Sequence, residues 1–157
     1  MNRSTPTSRR RALALSGAAL TVGIAGCSVP DGDDETSPGE YELRREDWED
    51  VDEIALNGFT NGWIGVEPDV IEGVKNPTLL LFEGTEYEIR WENRDGIRHN
   101  LALRDDDGDL VHNYETEYVR NRGDTASLTF DATPELHSYI CDPHPRSMIG
   151  YIETVED

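Results

Sequence analysis

Residues 139–150 combine metal-ligating and loop-forming side chains in the order Tyr139-Ile140-Cys141-Asp142-Pro143-His144-Pro145-Arg146-Ser147-Met148-Ile149-Gly150. A thiol, an imidazole and a thioether occur here within eight residues. A thiolate and an imidazole are strong copper ligands, and a thioether is soft enough to bind weakly on the axis of such a site. Pro143 and Pro145 fix their own φ angles on either side of His144 and stiffen the loop. The stretch therefore predicts a metal-binding loop that follows a strand.

A fourth ligand has to come from another part of the chain, and His99 is the candidate. It precedes Leu101 and Leu103, which alternate as in a strand. Two imidazoles and one thiolate in a plane, with a distant methionine, form a mononuclear blue-copper site that changes little between Cu(I) and Cu(II). Taken singly, each residue has a structural alternative: the histidine on a strand, the methionine in the core, the cysteine as a small buried hydrophobe. Taken together, the predicted copper ligands are His99, Cys141, His144 and Met148.

Short segments with strand patterns, separated by turn residues, recur from residue 54 to residue 155 and predict an all-β sandwich or barrel. These predicted strands are 54–59, 64–70, 79–82, 87–91, 101–103, 128–130, 139–141 and 149–155. Residues 114–122 show no alternation and are expected to form a loop or a short helix. Trp63 and Trp91 are expected in the core, Tyr139 in strand packing, and His112 and His137 on the surface.

The residues around the predicted ligands resemble a plastocyanin-like cupredoxin, and within that class the halocyanin group of halophilic archaea. His99-Asn100 matches the His-Asn pair of the family, and Cys141-Asp142-Pro143-His144 matches its Cys-x-Pro-His loop. The resemblance extends from about Trp63 to Val155. It implies a cupredoxin-like Greek-key β-sandwich with copper at one end and His144 near the surface as the electron port. It also implies that Asn100 does not bind the metal itself. Its side chain would tie the ligand loops together and form hydrogen bonds near the thiolate sulfur.

The ligand loop departs from the family in one respect. Three residues separate His144 from Met148, whereas plastocyanins have four and amicyanins two. The set of one cysteine and two histidines is unaffected. The strength of the axial contact from Met148 is left open by this spacing.

The first residues of the chain have the pattern of an export signal. Arg9 and Arg10 precede an apolar stretch from Ala12 to Ala25, which is too short to span a bilayer as a stable helix. The paired arginines resemble a twin-arginine signal. The stretch ends in Ile24-Ala25-Gly26-Cys27, which resembles a lipobox, so Cys27 is the expected lipidation site. We expect a signal peptide at residues 1–26.

Two further segments are expected after the signal peptide. Residues 28–44 are rich in Pro, Gly, Ser, Asp and Glu and cannot bury enough apolar surface to fold. Residues 27–44 are therefore predicted to be a lipidated cysteine and an acidic tether, and residues 45–157 to be the copper domain. Cys27 and Cys141 are the only cysteines. A disulfide between them is the competing interpretation, but it would join a flexible tail to the far end of the domain.

The large negative charge of the chain indicates adaptation to a salty habitat rather than the binding of a particular ligand. The formal net charge is −19, and removal of a leader with four arginines and no acidic residue makes it −23. Lys75 is the only lysine. Many carboxylates with almost no lysine resemble the surface of proteins from salt-loving archaea. The negative charge also argues against a nucleic-acid partner, since phosphates would be repelled.

These observations favour one function over three others. The expected function is one-electron transport at the outer face of the membrane, by a monomer that passes electrons between a donor and an acceptor protein. A copper chaperone or store without redox turnover is the alternative. Such proteins usually have segments rich in Met and His, whereas Met1 and Met148 are the only methionines of this chain. An enzyme is not expected, because copper oxidases need histidine clusters that four histidines cannot supply. Zinc also binds Cys and His, but a flat three-ligand site favours copper.

We predict that the domain loses stability when salt is withdrawn. In molar salt the Debye length is about 3 Å, so crowded carboxylates barely repel one another, whereas in dilute buffer the repulsion returns. The melting temperature should therefore fall steadily from molar to millimolar sodium chloride. An unchanged melting temperature over that range would contradict the interpretation of the acidic surface.

Overall fold

The computed structural model describes residues 43–156, so the predicted signal peptide, Cys27 and most of the predicted tether lie outside the described residues. The described part contains nine strands and two single-turn 3-10 helices, Arg45–Asp47 and Asp69–Ile71. None of the helices in this part is long and apolar enough to cross a membrane. The strands are β1 Glu53–Phe59, β2 Gly62–Glu67, β3 Leu79–Phe82, β4 Glu86–Asn93, β5 Ala102–Arg104, β6 Leu110–Glu115, β7 Thr125–Asp131, β8 Ser138–Ile140 and β9 Ile149–Val155.

The nine strands form two sheets, as expected for a β-sandwich. One sheet has the order β2-β1-β4-β7 and the other the order β3-β9-β8-β5-β6. The pairs β1–β4 and β3–β9 are parallel, and the remaining pairs are antiparallel. The chain passes repeatedly from one sheet to the other, so neighbouring strands in a sheet are often distant in sequence. The predicted all-β sandwich is confirmed.

The core lies between the two sheets and is built from the inward side of each strand. In β4, Tyr87, Ile89 and Trp91 are buried and their neighbours are more exposed, which is the period-two pattern of a half-buried strand. Trp63 packs edge-to-face on Trp91, with 5.4 Å between ring centroids. Tyr139 also faces Trp63, at 6.4 Å. The three aromatic rings are core residues, as the sequence predicted.

Two strand predictions were wrong in detail. The second predicted strand was extended to residue 70, but β2 ends at Glu67 and a 3-10 turn follows Pro68. Strand β6 was missed, and the predicted loop began inside it. Its pairing with β5 is irregular, and His112 and Asn113 have positive φ angles of 47° and 61°. A mostly exposed edge strand with a local irregularity has no clean alternation, so period-two reasoning could not detect it.

Three connections meet at one end of the sandwich. The β4–β5 connection carries His99 and Asn100, and the β8–β9 connection is residues 141–148. The β6–β7 connection contributes Val119, whose backbone forms an isolated antiparallel bridge with His99. This end of the sandwich is where the predicted ligands come together.

Candidate metal centre

His99 is held at the end of the sandwich by backbone pairing on both sides. Its N–H donates to the Val119 carbonyl at 2.9 Å, and the Val119 N–H donates back at 2.8 Å. The buried side chain of Asn93 organises the turn before it, because its Nδ2 donates to the Ile97 carbonyl at 2.7 Å and its Oδ1 accepts from the Gly96 N–H at 2.8 Å. The ring of His99 is fully buried. These contacts therefore set the position of the His99 backbone.

Cys141, His144 and Met148 are brought together by the tight loop between β8 and β9. The Cys141 N–H donates to the Met148 carbonyl at 3.0 Å, which closes the loop. Inside it, the His144 N–H donates to the Cys141 carbonyl at 3.0 Å, and the Met148 N–H to the His144 carbonyl at 2.9 Å. Cys141 and Met148 are fully buried, whereas His144 is partly exposed. The loop thus places three predicted ligands on adjoining turns.

The ligand atoms of the three strong donors form a nearly equilateral triangle. The Sγ of Cys141 lies 3.6 Å from Nδ1 of His99 and 3.7 Å from Nδ1 of His144, and the two nitrogens are 3.2 Å apart. A point at the centre of this triangle is about 2 Å from each corner, close to the length of a bond from a first-row metal to nitrogen or sulfur. A metal cation at that point could bond to all three atoms. The residues present therefore fit a mononuclear metal.

The choice of donors selects the metal. Two imidazoles and one thiolate, with the thioether of Met148 in the same loop, are the ligands of a type 1 copper site. His99, Cys141, His144 and Met148 thus form one copper site, as predicted. Copper held there would supply a single-electron couple between Cu(I) and Cu(II).

Burial favours the uncharged forms of two of the ligands, Cys141 and His144. Burial raises the pKa of the Cys141 thiol, although the N–H groups of Asn100 and His144 stabilise the thiolate and act against it. Burial lowers the pKa of His144, and the nearby His99 lowers it further. His144 therefore stays neutral near pH 7 and keeps a lone pair. Because copper binds the thiolate, metal binding has to release the proton of Cys141.

Asn100 joins the two ligand-bearing segments. Its Nδ2 donates to Oδ2 of Asp142 at 2.8 Å, and its Oδ1 accepts from the Asp142 N–H at 2.9 Å. The other oxygen of Asp142 accepts from Nη2 of Arg104 at 2.7 Å. The fully buried amide therefore connects the residue after His99 to the residue after Cys141, which is the connection that the resemblance implied.

A second set of contacts around the ligands was missed by the sequence reasoning. Oδ1 of Asp95 lies 2.9 Å from Nε2 of His99, and Oδ2 of Asp95 accepts from the Thr60 N–H at 2.6 Å. The Ser147 hydroxyl donates to the Thr60 carbonyl, and the Asn76 side chain donates to the Ser147 carbonyl at 2.9 Å. These contacts join three loops, and no spacing in the sequence signals them.

The remaining candidates stand apart from the site. His112 and His137 are about half exposed, and each faces a carboxylate at the surface, Glu135 and Asp106 respectively. Within residues 43–156, the only group of three or more His, Cys, Asp or Glu side chains arranged to hold a metal is His99, Cys141 and His144. Cys27 lies outside the described residues, so its lipidation stays a prediction, as does the competing disulfide.

A β-sandwich with one type 1 copper site defines a blue copper protein. Residues 82–155 match the copper binding proteins of the plastocyanin/azurin family, and this range contains all four ligands. This part of the chain is therefore similar to the plastocyanin/azurin copper proteins.

Several solved structures are similar in fold. Rusticyanin from Thiobacillus ferrooxidans is 17% identical, with a TM-score of 0.47 over 66% of this chain and 76% of that one. Auracyanin A, a blue copper protein from Chloroflexus aurantiacus, is 20% identical, with a TM-score of 0.45 over 66% and 98%. A purple cupredoxin from Nitrosopumilus maritimus is 21% identical, with a TM-score of 0.43 over 66% and 98%. None of the curated proteins matches the sequence significantly. At these identities the similarities carry no conclusion about function.

We predict that Asn100→Ala weakens copper binding by about tenfold or more, because the ligand segments lose their connection and the Asp142 N–H loses its acceptor. Competition with a chelator of known affinity measures the loss. Asn121→Ala is the matched control, since Asn121 is exposed and bonds only to its neighbour Asp124 at 2.8 Å in the described contacts. Equal affinities of the two variants would contradict the role of Asn100.

Proposed function

We propose that the protein is a one-electron carrier that works at the outer face of the cell membrane, anchored by a lipid on Cys27. The observation that carries the proposal is the triangle of His99, Cys141 and His144 atoms at one end of the sandwich. A planar set of two nitrogens and one sulfur lies between the geometries that Cu(I) and Cu(II) prefer, so little rearrangement accompanies each electron. Fast, reversible electron exchange is the function that this arrangement serves best.

Access to the metal supports transfer to a partner. His144 is the partly exposed ligand, whereas His99, Cys141 and Met148 are fully buried. Pro143 and Pro145, on either side of it, are exposed. A ligand ring that reaches an apolar surface gives a partner protein a short route to the copper. His144 is thus the proposed electron port.

The surface next to His99 adds two exposed apolar side chains. Ile97 is 48% exposed and Tyr118 is 42% exposed, and the backbone of the latter adjoins Val119, which pairs with His99. The guanidinium of Arg98 lies 3.6 Å from the centroid of the Tyr118 ring. Exposed apolar groups with a charged rim are typical of transient protein interfaces. The proposed partners are a membrane or extracytoplasmic electron donor and acceptor.

The membrane location is supported by the sequence alone. The paired arginines, the apolar stretch and the cysteine that follows it form an export and lipidation pattern. A twin-arginine signal suits a domain that folds and binds copper before export. The acidic surface and the ligand motifs support assignment to the halocyanin type, from a halophilic organism, and a monomer is expected.

We predict that the mature protein, loaded with Cu(II) in molar salt, shows an intense blue thiolate-to-copper absorption band that a reductant bleaches and an oxidant restores. The band should be absent from Cys141→Ser, because the thiolate is lost. It should be unchanged in His112→Ala, the control, because that exposed ring lies outside the site. Visible absorption and electron paramagnetic resonance measure both outcomes.

Two other results would overturn the carrier function. Binding of copper without reversible colour change would favour the alternative, a copper-handling protein without redox turnover. A colourless protein after addition of Cu(II), combined with tight zinc binding, would show that the site selects zinc.

We predict that Cys27→Ser abolishes lipid attachment and moves the protein from the membrane fraction to the soluble or unprocessed fraction, because acyl chains provide the anchor. Fractionation of cells and mass spectrometry of the N-terminal peptide measure this. Ser37→Ala is the matched control, since it changes a small residue of the predicted tether and should leave the protein on the membrane. Release of the wild-type protein by salt alone would contradict lipid anchoring.

A further inference from the structure

Asp95 is the centre of a hydrogen-bond set behind the ligand His99. Its Oδ1 accepts from the Ile97 N–H at 3.0 Å and lies 2.9 Å from Nε2 of His99. Its Oδ2 accepts from both the N–H and the hydroxyl of Thr60, at 2.6 and 2.7 Å. The Asp95 side chain is only 23% exposed. Each carboxylate oxygen therefore has two polar partners within the protein.

Both oxygens of the Asp95 carboxyl act as acceptors in this setting. The backbone N–H groups of Ile97 and Thr60 can only donate, and one of them is bonded to each oxygen. An ionised carboxylate only accepts hydrogen bonds. The proton shared with His99 must therefore be on Nε2 of the ring.

This proton placement determines which ring atom binds copper. A neutral imidazole has one protonated and one unprotonated nitrogen. With Nε2 protonated toward Asp95, Nδ1 carries the lone pair, and Nδ1 is the atom that faces the Cys141 sulfur and the His144 ring. The ligand tautomer is thus fixed before metal arrives.

The same carboxylate connects His99 to the other ligand segment. Thr60, in the turn between β1 and β2, donates twice to Asp95 and accepts from the Ser147 hydroxyl through its carbonyl. Ser147 lies between the ligands His144 and Met148, and its N–H donates to the His144 carbonyl at 3.2 Å. A change at Asp95 therefore reaches the ligands of both loops.

We propose that Asp95 is a positioning residue of the copper site, which orients His99 through Nε2 and lowers the reduction potential of the copper by placing a negative charge behind this ligand. A carboxylate that accepts the second N–H of a ligand imidazole makes the ring a stronger electron donor. Negative charge stabilises Cu(II) more than Cu(I), because Cu(II) has the larger positive charge. This proposal deepens the carrier function and rests on it only for the potential, since the tautomer is a property of the metal-free protein.

The first test is the nitrogen-15 NMR spectrum of the metal-free protein in molar salt, recorded at mildly alkaline pH. The expected spectrum of the wild-type protein shows His99 protonated at Nε2. Asp95→Asn should keep this tautomer, since its amide oxygen can still accept from Nε2, whereas Asp95→Ala should give a mixture of tautomers. Wild-type His99 protonated at Nδ1, or the same tautomer population in Asp95→Ala as in wild type, would overturn the orienting role.

The second test is the reduction potential of the copper-loaded protein. Asp95→Asn removes the charge and retains the shape, so the potential should rise by about 59 mV, which corresponds to a tenfold change in the ratio of Cu(I) to Cu(II) affinity. Glu117→Gln is the matched control, because it removes one exposed carboxylate two residues from Val119, which pairs with His99, and the described contacts of His99 do not include Glu117. Its shift should be clearly smaller. Equal potentials in the two variants would overturn the electrostatic role.

The two proposals fail in different ways. If the wild-type protein shows no reversible blue copper, the carrier function fails, while the tautomer in the metal-free protein still decides the orienting role of Asp95. If the wild-type protein cycles normally and Asp95→Asn has the wild-type potential, only the role of Asp95 fails. Should Asp95→Asn not fold, the wild-type tautomer remains a decisive measurement.

Discussion

The hydrogen bond from the Cys141 N–H to the Met148 carbonyl, 3.0 Å long, is the contact on which the site depends. It continues the antiparallel pairing of β8 and β9 by one step beyond Ile140 and Ile149, and it closes the loop that holds three of the four ligands. Inside the closed loop, the His144 N–H donates to the Cys141 carbonyl, and the His144 carbonyl accepts from the Met148 N–H. The sheet thus determines the ligand geometry, and the loop has little freedom left to lose when a metal binds.

Two carboxylates lie close to the ligands, and the structure gives them different roles. Asp142 shares its charge with Arg104 and serves Asn100 as a bonding partner, so its main effect is to join segments. Asp95 receives its hydrogen bonds from Thr60, Ile97 and the ligand His99. The guanidinium of Arg104 offsets the charge of Asp142, whereas the charge of Asp95 acts on the metal position through the ring of His99. An acidic composition therefore says little about the electrostatics at the copper, which individual contacts determine.

The sequence predicted the parts of the molecule that follow from local patterns. The alternation of Tyr87, Ile89 and Trp91 predicted β4, and the grouping of Cys141, His144 and Met148 predicted the ligand loop. Asp95 was not predicted, because its contact with His99 runs through a turn shaped by the buried Asn93 amide. Thr60 and Ser147 lie 87 residues apart, and only the folded sandwich brings them together. Contacts of this kind depend on tertiary packing, which has no period in the sequence.

The parallel pairing of β3 with β9 has a consequence for the synthesis of the protein. Strand β3 lies at the edge of its sheet, and its neighbour there is β9. Leu79 of β3 pairs with Ile152 of β9. While the ribosome is still making the segment between them, β3 has no partner strand in its own sheet, and its four buried apolar residues have no finished core. Pairings between such distant segments form slowly, and an unpaired apolar strand invites aggregation. A nascent chain of this protein therefore exposes the apolar side chains of β3 until β9 has left the ribosome.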